Sequence, residues 1–185
     1  MIELEYSLAT RGDLPAMQAL LAEGRLSAEA LESHTDQCLV ARQESRLVGM
    51  VALEPHGRAA LLRSLAVAPG NRGCALGRGL CARMISHVRM LNVDRLYLLT
   101  TDAERYFAGL GFQRLGRNEA PAEIQATTQF RTLCPQSAVC MTRDICGEAI
   151  HASTELLRLR IPGAGSPPGF RNVARGGAGW GGDEK

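Results

Sequence analysis

Along the first 145 residues the spacing of apolar positions switches repeatedly between strand-like and helix-like periods. Residues 3–9 read as a short strand, and Thr10-Arg11-Gly12-Asp13 as a turn with Asp13 placed to cap a helix. In that helix Leu14, Met17, Leu20 and Leu21 recur at helical spacing, and Gly24 ends it. The stretch from Ser27 to Leu31 predicts a second short helix capped by Ser27. Two apolar runs, residues 38–41 and 47–53, flank a polar turn at 43–46 and predict a hairpin. Residues 59–67 form a further strand pattern interrupted by Arg63 and Ser64. From near Gly73 onward, Leu76, Leu80, Met84, Val88 and Leu91 share one face of a helix of about five turns. Residues 95–100 read as the buried strand that a crossover helix requires. A short helix from Ala103 to Gly109 or Gly111 follows, then a strand at 112–116. Pro121 opens a helix running to about Arg131, and residues 137–142 form the last strand. This order predicts an α/β (α+β) domain: a mixed, mostly antiparallel sheet with helices on both faces.

The pattern stops near residue 145. Eight of the last 23 residues are glycine, mixed with Pro, Ser and Arg, a composition that cannot bury enough apolar surface to order itself. Residues 1–145 are therefore expected to be the domain, and 146–185 a disordered Gly/Pro/Arg-rich tail. Residues 151–185 carry five basic and three acidic side chains, so the formal charge of +2 comes entirely from that stretch and the first 150 residues balance. With a pI of 8.3 and no basic face, a nucleic-acid partner is not expected. No apolar run reaches the ~18 residues of a membrane span. The acidic start, Met1-Ile2-Glu3-Leu4-Glu5, lacks the basic residues of a signal peptide, so a cytoplasmic location is expected. Six cysteines without a C-x-x-C pair point to reduced thiols and to no structural metal.

Chemistry concentrates after the strand at 59–67. Arg72-Gly73-Cys74-Ala75-Leu76-Gly77-Arg78 is a glycine-rich arginine loop opening a helix. Such a loop leaves backbone N–H groups unpaired at a helix N-terminus, where a diphosphate is bound well. A P-loop is excluded, because it needs a lysine and the loop has none. The segment resembles the acetyl-CoA signature of the GNAT N-acetyltransferases, Arg/Gln-x-x-Gly-x-Gly/Ala, with Arg72, Ala75 and Gly77 at the matching places. Ala75 departs from the usual glycine and directs a methyl group toward the diphosphate. The resemblance implies the GNAT fold, with a central V-shaped opening for acetyl-CoA. It implies that the backbone of residues 72–78 holds the diphosphate with help from Arg72 and Arg78. It implies further that Leu65-Ala66-Val67 lines the pantetheine arm through a bulged strand and polarises the thioester carbonyl.

A second resemblance to the family lies in Thr100-Thr101-Asp102-Ala103-Glu104-Arg105-Tyr106-Phe107, which leads to Gly111-Phe112. Aligned on Ala103 and Gly111-Phe112, Thr100 stands where many members have asparagine and Phe107 where they have the tyrosine that protonates the departing thiolate. Tyr106 is one residue early, about 100° around the helix, and reads either as core or as a displaced proton donor. Together with Leu62-Arg63-Ser64-Leu65-Ala66-Val67 and residues 130–141, this stretch is similar to the GNAT proteins of bacterial arsenic-resistance operons. That similarity implies a small amino-acid-like amine with an anionic head group, such as arsinothricin or phosphinothricin, as acceptor.

An amine must lose a proton before it attacks, so a base is needed. Glu54 and His56, at the end of one strand, are candidates, as are Glu119 and Glu123. Each also reads as an ordinary solvated residue. Arg63 is a candidate for holding an acceptor's anionic group, or is an ion-paired strand residue. The expected partners are acetyl-CoA as cosubstrate and a small amine, with a homodimer compatible and no membrane or metal involved. The alternative is a non-catalytic CoA-binding protein, or an arsenic(III)-binding protein using the evenly spaced Cys134, Cys140 and Cys146.

Overall fold

The computed structural model describes residues 4–29 and 31–145. The segment expected to be a disordered tail lies outside them, as does Cys146. Seven strands form one sheet: β1 (Leu4–Leu8), β2 (Cys38–Gln43), β3 (Arg46–His56), β4 (Ala59–Val67), β5 (Arg95–Thr100), β6 (Gln113–Leu115) and β7 (Val139–Asp144). Their spatial order is β1-β2-β3-β4-β5-β7-β6. Only the β4–β5 pair is parallel. Among the described residues the α-helices are α1 (Leu14–Glu23), α2 (Leu76–Met90), α3 (Glu104–Ala108) and α4 (Ala122–Gln125), and a π-turn (Gln129–Leu133) lies between α4 and β7. Among the described residues no helix is long and apolar enough to cross a membrane.

Most predicted elements are present, with three corrections. Among the described residues 27–29 and 31 no helix forms; the Ser27 hydroxyl accepts the Glu29 N–H, and a 3-10 helix follows at Glu32–Gln37. Asp13 does not cap α1 with its side chain. Its carboxylate instead closes the preceding turn, accepting from the Thr10 N–H and hydroxyl and from Arg42. The helix expected from Pro121 to Arg131 breaks after Gln125. The buried Thr127 hydroxyl donates to the Ile124 carbonyl at 2.8 Å and accepts from the Phe130 N–H at 3.3 Å. A threonine that competes for its neighbours' backbone groups interrupts a helix at that point.

Alternation along β4 and β5 divides the core between the two faces of the sheet. Ala60, Leu62, Leu96 and Leu98 join α1 and α2 in one cluster. Ala59, Leu61, Tyr97 and Leu99 join Ile124 and Phe130 in the other. The stripe predicted for α2 is buried: Leu76, Leu80, Met84 and Val88 are each 2% exposed or less. Burying a side chain of this size contributes about 1.5–3 kcal/mol. Gly49 on β3 lets α2 approach closely, because a Cβ there would stand 2.9 Å from Leu80 Cδ1. The start of α2 is thereby held against the sheet, beside the end of β4.

Candidate active site

Strand β4 carries two irregularities, and together they open the sheet. Ala52 pairs with Arg63 and Met50 with Ala66, so Val51 alone faces both Ser64 and Leu65. This is a β-bulge, and Ser64 takes a positive φ of 54° to make it. On the other edge, β5 pairs with β4 only at Ala59, Ala60 and Leu61. Beyond Leu61 the two strands part, and β4 from Leu62 to Leu65 lines a cleft of about 230 Å³. A splayed strand edge of this kind offers N–H and C=O groups to an amide-bearing chain laid alongside it. Ser64 and Leu65 lie on one part of the wall, and Thr100, Tyr106, Phe107, Gln129 and Cys134 on others.

The loop after β4 is pinned at its base and open at its tip. The Ala68 N–H donates to the Val48 carbonyl, Asn71 Nδ2 to Gln43 Oε1, and Arg72 Nε to the Val67 carbonyl at 3.1 Å. Residues 72–75 are exposed, with Gly73 at φ 79° and Ala75 at φ 57°. Among the described residues no hydrogen bond engages the N–H groups of residues 73–78; the first return bond runs from the Gly79 N–H to the Ala75 carbonyl. The exposed tip, the free N–H groups and the positive end of α2 fit an anion such as a diphosphate.

Residues 34–114 match the family model described as an acetyltransferase (GNAT) domain. The fold is the GNAT acetyltransferase fold. An amino-acid acetyltransferase of Neisseria meningitidis serogroup A is 31% identical over 122 residues, covering 61% of this chain and 28% of the relative. One from Pseudomonas putida is 33% identical over 100 residues, covering 53% and 23%. The N-acetylglutamate synthase of Neisseria gonorrhoeae, solved with coenzyme A and N-acetyl-glutamate, superposes with a TM-score of 0.68 at 25% identity, covering 78% of this chain and 36% of that one. A Mycobacterium tuberculosis protein solved with CoA gives 0.66 at 20% identity, covering 75% and 98%, a likeness of fold. The chain thus spans about 28% of the length of the Neisseria meningitidis relative.

Within this fold the two aromatic positions have separate fates. Phe107, at the place of the family tyrosine, is 8% exposed and packs edge-on against Phe112. Tyr106 is 37% exposed and on the cleft wall, so it is not a core residue. Its hydroxyl lies against Gly77, near the buried Cys81 thiol. Burial pushes the phenol up to about 12, the Cys81 side chain adds to this, and Arg78 pulls the other way. The phenol is therefore neutral near pH 7. Thr100, at the place of the family asparagine, accepts the Ala103 N–H at 3.0 Å and braces the start of α3.

The expected polar residues sort differently. Arg63 is buried, with Nη1 donating to Glu54 Oε2 at 3.0 Å and Nη2 to the Glu29 carbonyl at 2.8 Å. Glu54 also meets His56 Nε2 at 3.1 Å, and neither Glu54 nor His56 is on the cleft wall. Glu119 accepts the Gly116 N–H, Glu123 is exposed, and both lie away from the cleft. Cys140 is buried in β7, Cys134 lies at the cleft, and among the described residues no three His, Cys, Asp or Glu side chains gather as a metal site. Sequence reasoning did not single out Cys81 or Gln129. Cys81 is a buried thiol in the stripe of α2, and Gln129 carries no motif; only packing brings them to the site.

Proposed function

We propose that this chain transfers the acetyl group of acetyl-CoA to the amine of a small amino-acid-like acceptor. The observation that carries the reading is the parting of β4 from β5 at a bulge, with a loop of free N–H groups nearby whose Gly77 lies against the hydroxyl of the cleft residue Tyr106. The relatives named amino-acid acetyltransferase, and the synthase solved with coenzyme A and N-acetyl-glutamate, support both the donor and the acceptor class.

In this reading the N–H groups of residues 73–78 hold the diphosphate, with the Arg72 and Arg78 guanidinium groups adding charge. Cys74 and Leu76 contribute backbone to that loop. The free edge of β4 at Leu65-Ala66-Val67 aligns the pantetheine arm, and an N–H there polarises the thioester carbonyl. The amine nitrogen attacks the carbonyl carbon, the C–S bond breaks, and the departing thiolate takes a proton. Tyr106 is the phenol at the cleft able to give that proton. Glu54, clamped between Arg63 and His56, fixes Arg63, and the acceptor's proton leaves through solvent in the open cleft. Within the acceptor class we place amino acids with an anionic head group, arsinothricin among them, on the resemblance to the arsenic-resistance enzymes.

Calorimetry with acetyl-CoA on wild type and an Arg72→Glu/Gly77→Glu variant tests the donor site. Micromolar affinity in wild type, lost in the variant, is expected; absence of binding by wild type overturns the reading. Binding without turnover of any amine would instead favour a CoA-binding protein, the reading favoured by the departures at Ala75, Thr100 and Phe107.

A further inference from the structure

One stretch of the cleft wall comes from the π-turn Gln129–Leu133. Such turns are rare and concentrate at functional sites. This one is firmly held. Thr127 ties its entry, Arg117 donates to the Phe130 and Pro135 carbonyls at 2.6 and 3.0 Å, and the Phe130 ring is buried. A side chain mounted on it is therefore fixed relative to β4.

Gln129 is that side chain. Its Oε1 is buried and has no hydrogen-bond partner, although the residue as a whole is half-buried and on the cleft wall. A buried amide oxygen without a donor is uncommon and calls for a ligand or a role. Rotation about the last side-chain bond exchanges Oε1 with Nε2, so either atom can be turned to the cleft. Charge recognition is scarce there. Among the described residues of the wall Arg63 is the one cation and Asp102 the one carboxylate, and Arg63 is engaged through two of its five N–H groups by Glu54 and the Glu29 carbonyl.

A carboxamide has one accepting and one donating end, and an α-amino acid offers an amine N–H beside a carboxylate oxygen. We infer that Gln129 is the specificity-determining residue for the acceptor, its carboxamide pairing with the adjacent amine and carboxylate of an α-amino acid. This rests on the transferase reading above. Accepting one N–H through Oε1 leaves the nitrogen lone pair directed at the thioester. An amine without the carboxylate loses one of the two bonds and binds more weakly.

The test is acetylation of the twenty L-amino acids and their decarboxylated amines, followed by mass spectrometry of the N-acetyl products for wild type, Gln129→Leu and Gln129→Glu. Wild type is expected to prefer at least one amino acid over its amine. Gln129→Leu is expected to raise the KM for that amino acid at least tenfold and to erase the preference, with the acetyl-CoA Kd within twofold. Gln129→Glu keeps the size but repels the carboxylate, so it is expected to raise KM further and carries the test if the leucine variant does not fold. An active wild type whose amino-acid KM is unchanged in both variants overturns this inference alone. A wild type that binds acetyl-CoA but acetylates none of the twenty overturns this inference alone; failure to bind acetyl-CoA overturns it together with the transferase reading.

Discussion

The hydroxyl of Tyr106 lies 2.8 Å from the point where a Cβ on Gly77 would stand. Gly77 is thus needed for the seat of the tyrosine, and its N–H is one of the free ones at the start of α2. Gly77→Ala is expected to displace Tyr106 and to weaken acetyl-CoA binding about tenfold, which corresponds to about 1.4 kcal/mol. Tyr106→Phe removes the colliding oxygen, so the double variant should bind better than Gly77→Ala alone. Calorimetry on the four proteins of the cycle checks this; additive losses would show that the two residues do not meet.

Cys74 is the exposed cysteine of the described residues, and it sits in the proposed diphosphate loop. Cys38, Cys81 and Cys140 are buried, and burial pushes their thiols up to about 12, 12 and 11. Alkylation by iodoacetamide at pH 8 should therefore label Cys74 ahead of these three. Saturating CoA should slow that labelling at least tenfold, read by peptide mass spectrometry. Equal rates with and without CoA would place the ligand elsewhere.

Arg63 and Glu54 face each other across β4 and β3 with side chains 8% and 12% exposed. Removing one partner strands the other charge in a buried place, at a cost of about 3–5 kcal/mol. Glu54→Ala is expected to lose that much stability in urea unfolding. An Arg63→Met/Glu54→Met double variant should lose less, because no charge remains unpaired.

Burial alone would raise the Asp13 carboxyl, but hydrogen bonds from Arg42 and Thr10 outweigh it and hold the group below its ordinary value. A depressed carboxylate adds stability above its unfolded-state value and loses it as pH falls through the folded-state value. Asp13→Asn should accordingly lower Tm at pH 7. The gap between variant and wild type should close as the pH falls below about 4, the ordinary range for aspartate. A gap independent of pH would mean that the carboxylate's charge is not what matters.

Local signals made much of this molecule readable. The strands at 38–41, 47–53, 59–67 and 95–100 and the stripe of α2 are set by period and burial, which neighbouring residues already encode. The turn at Glu44-Ser45, with both φ values positive, closes the β2–β3 hairpin where the polar residues lie. The helix after Pro121 misled for a local reason of another kind: periodicity does not report that the Thr127 hydroxyl will take over backbone hydrogen bonds.

By itself the sequence determined the mixed sheet, the crossover and the position of the loop at Arg72–Arg78, because each depends on spacing along one segment. Tertiary structure decided what faces the cleft. The bulge at Ser64 arises from register against β3, and the opening from β5 turning away after Leu61. Which of Tyr106 and Phe107 is exposed and which is packed away depended on how α3 seats against α2, with Gly77 making room for the phenol. The pairing of Arg63 with Glu54 and the arrival of Gln129 on the wall likewise join residues far apart in the chain. Such contacts are fixed by packing between elements, which no single segment records.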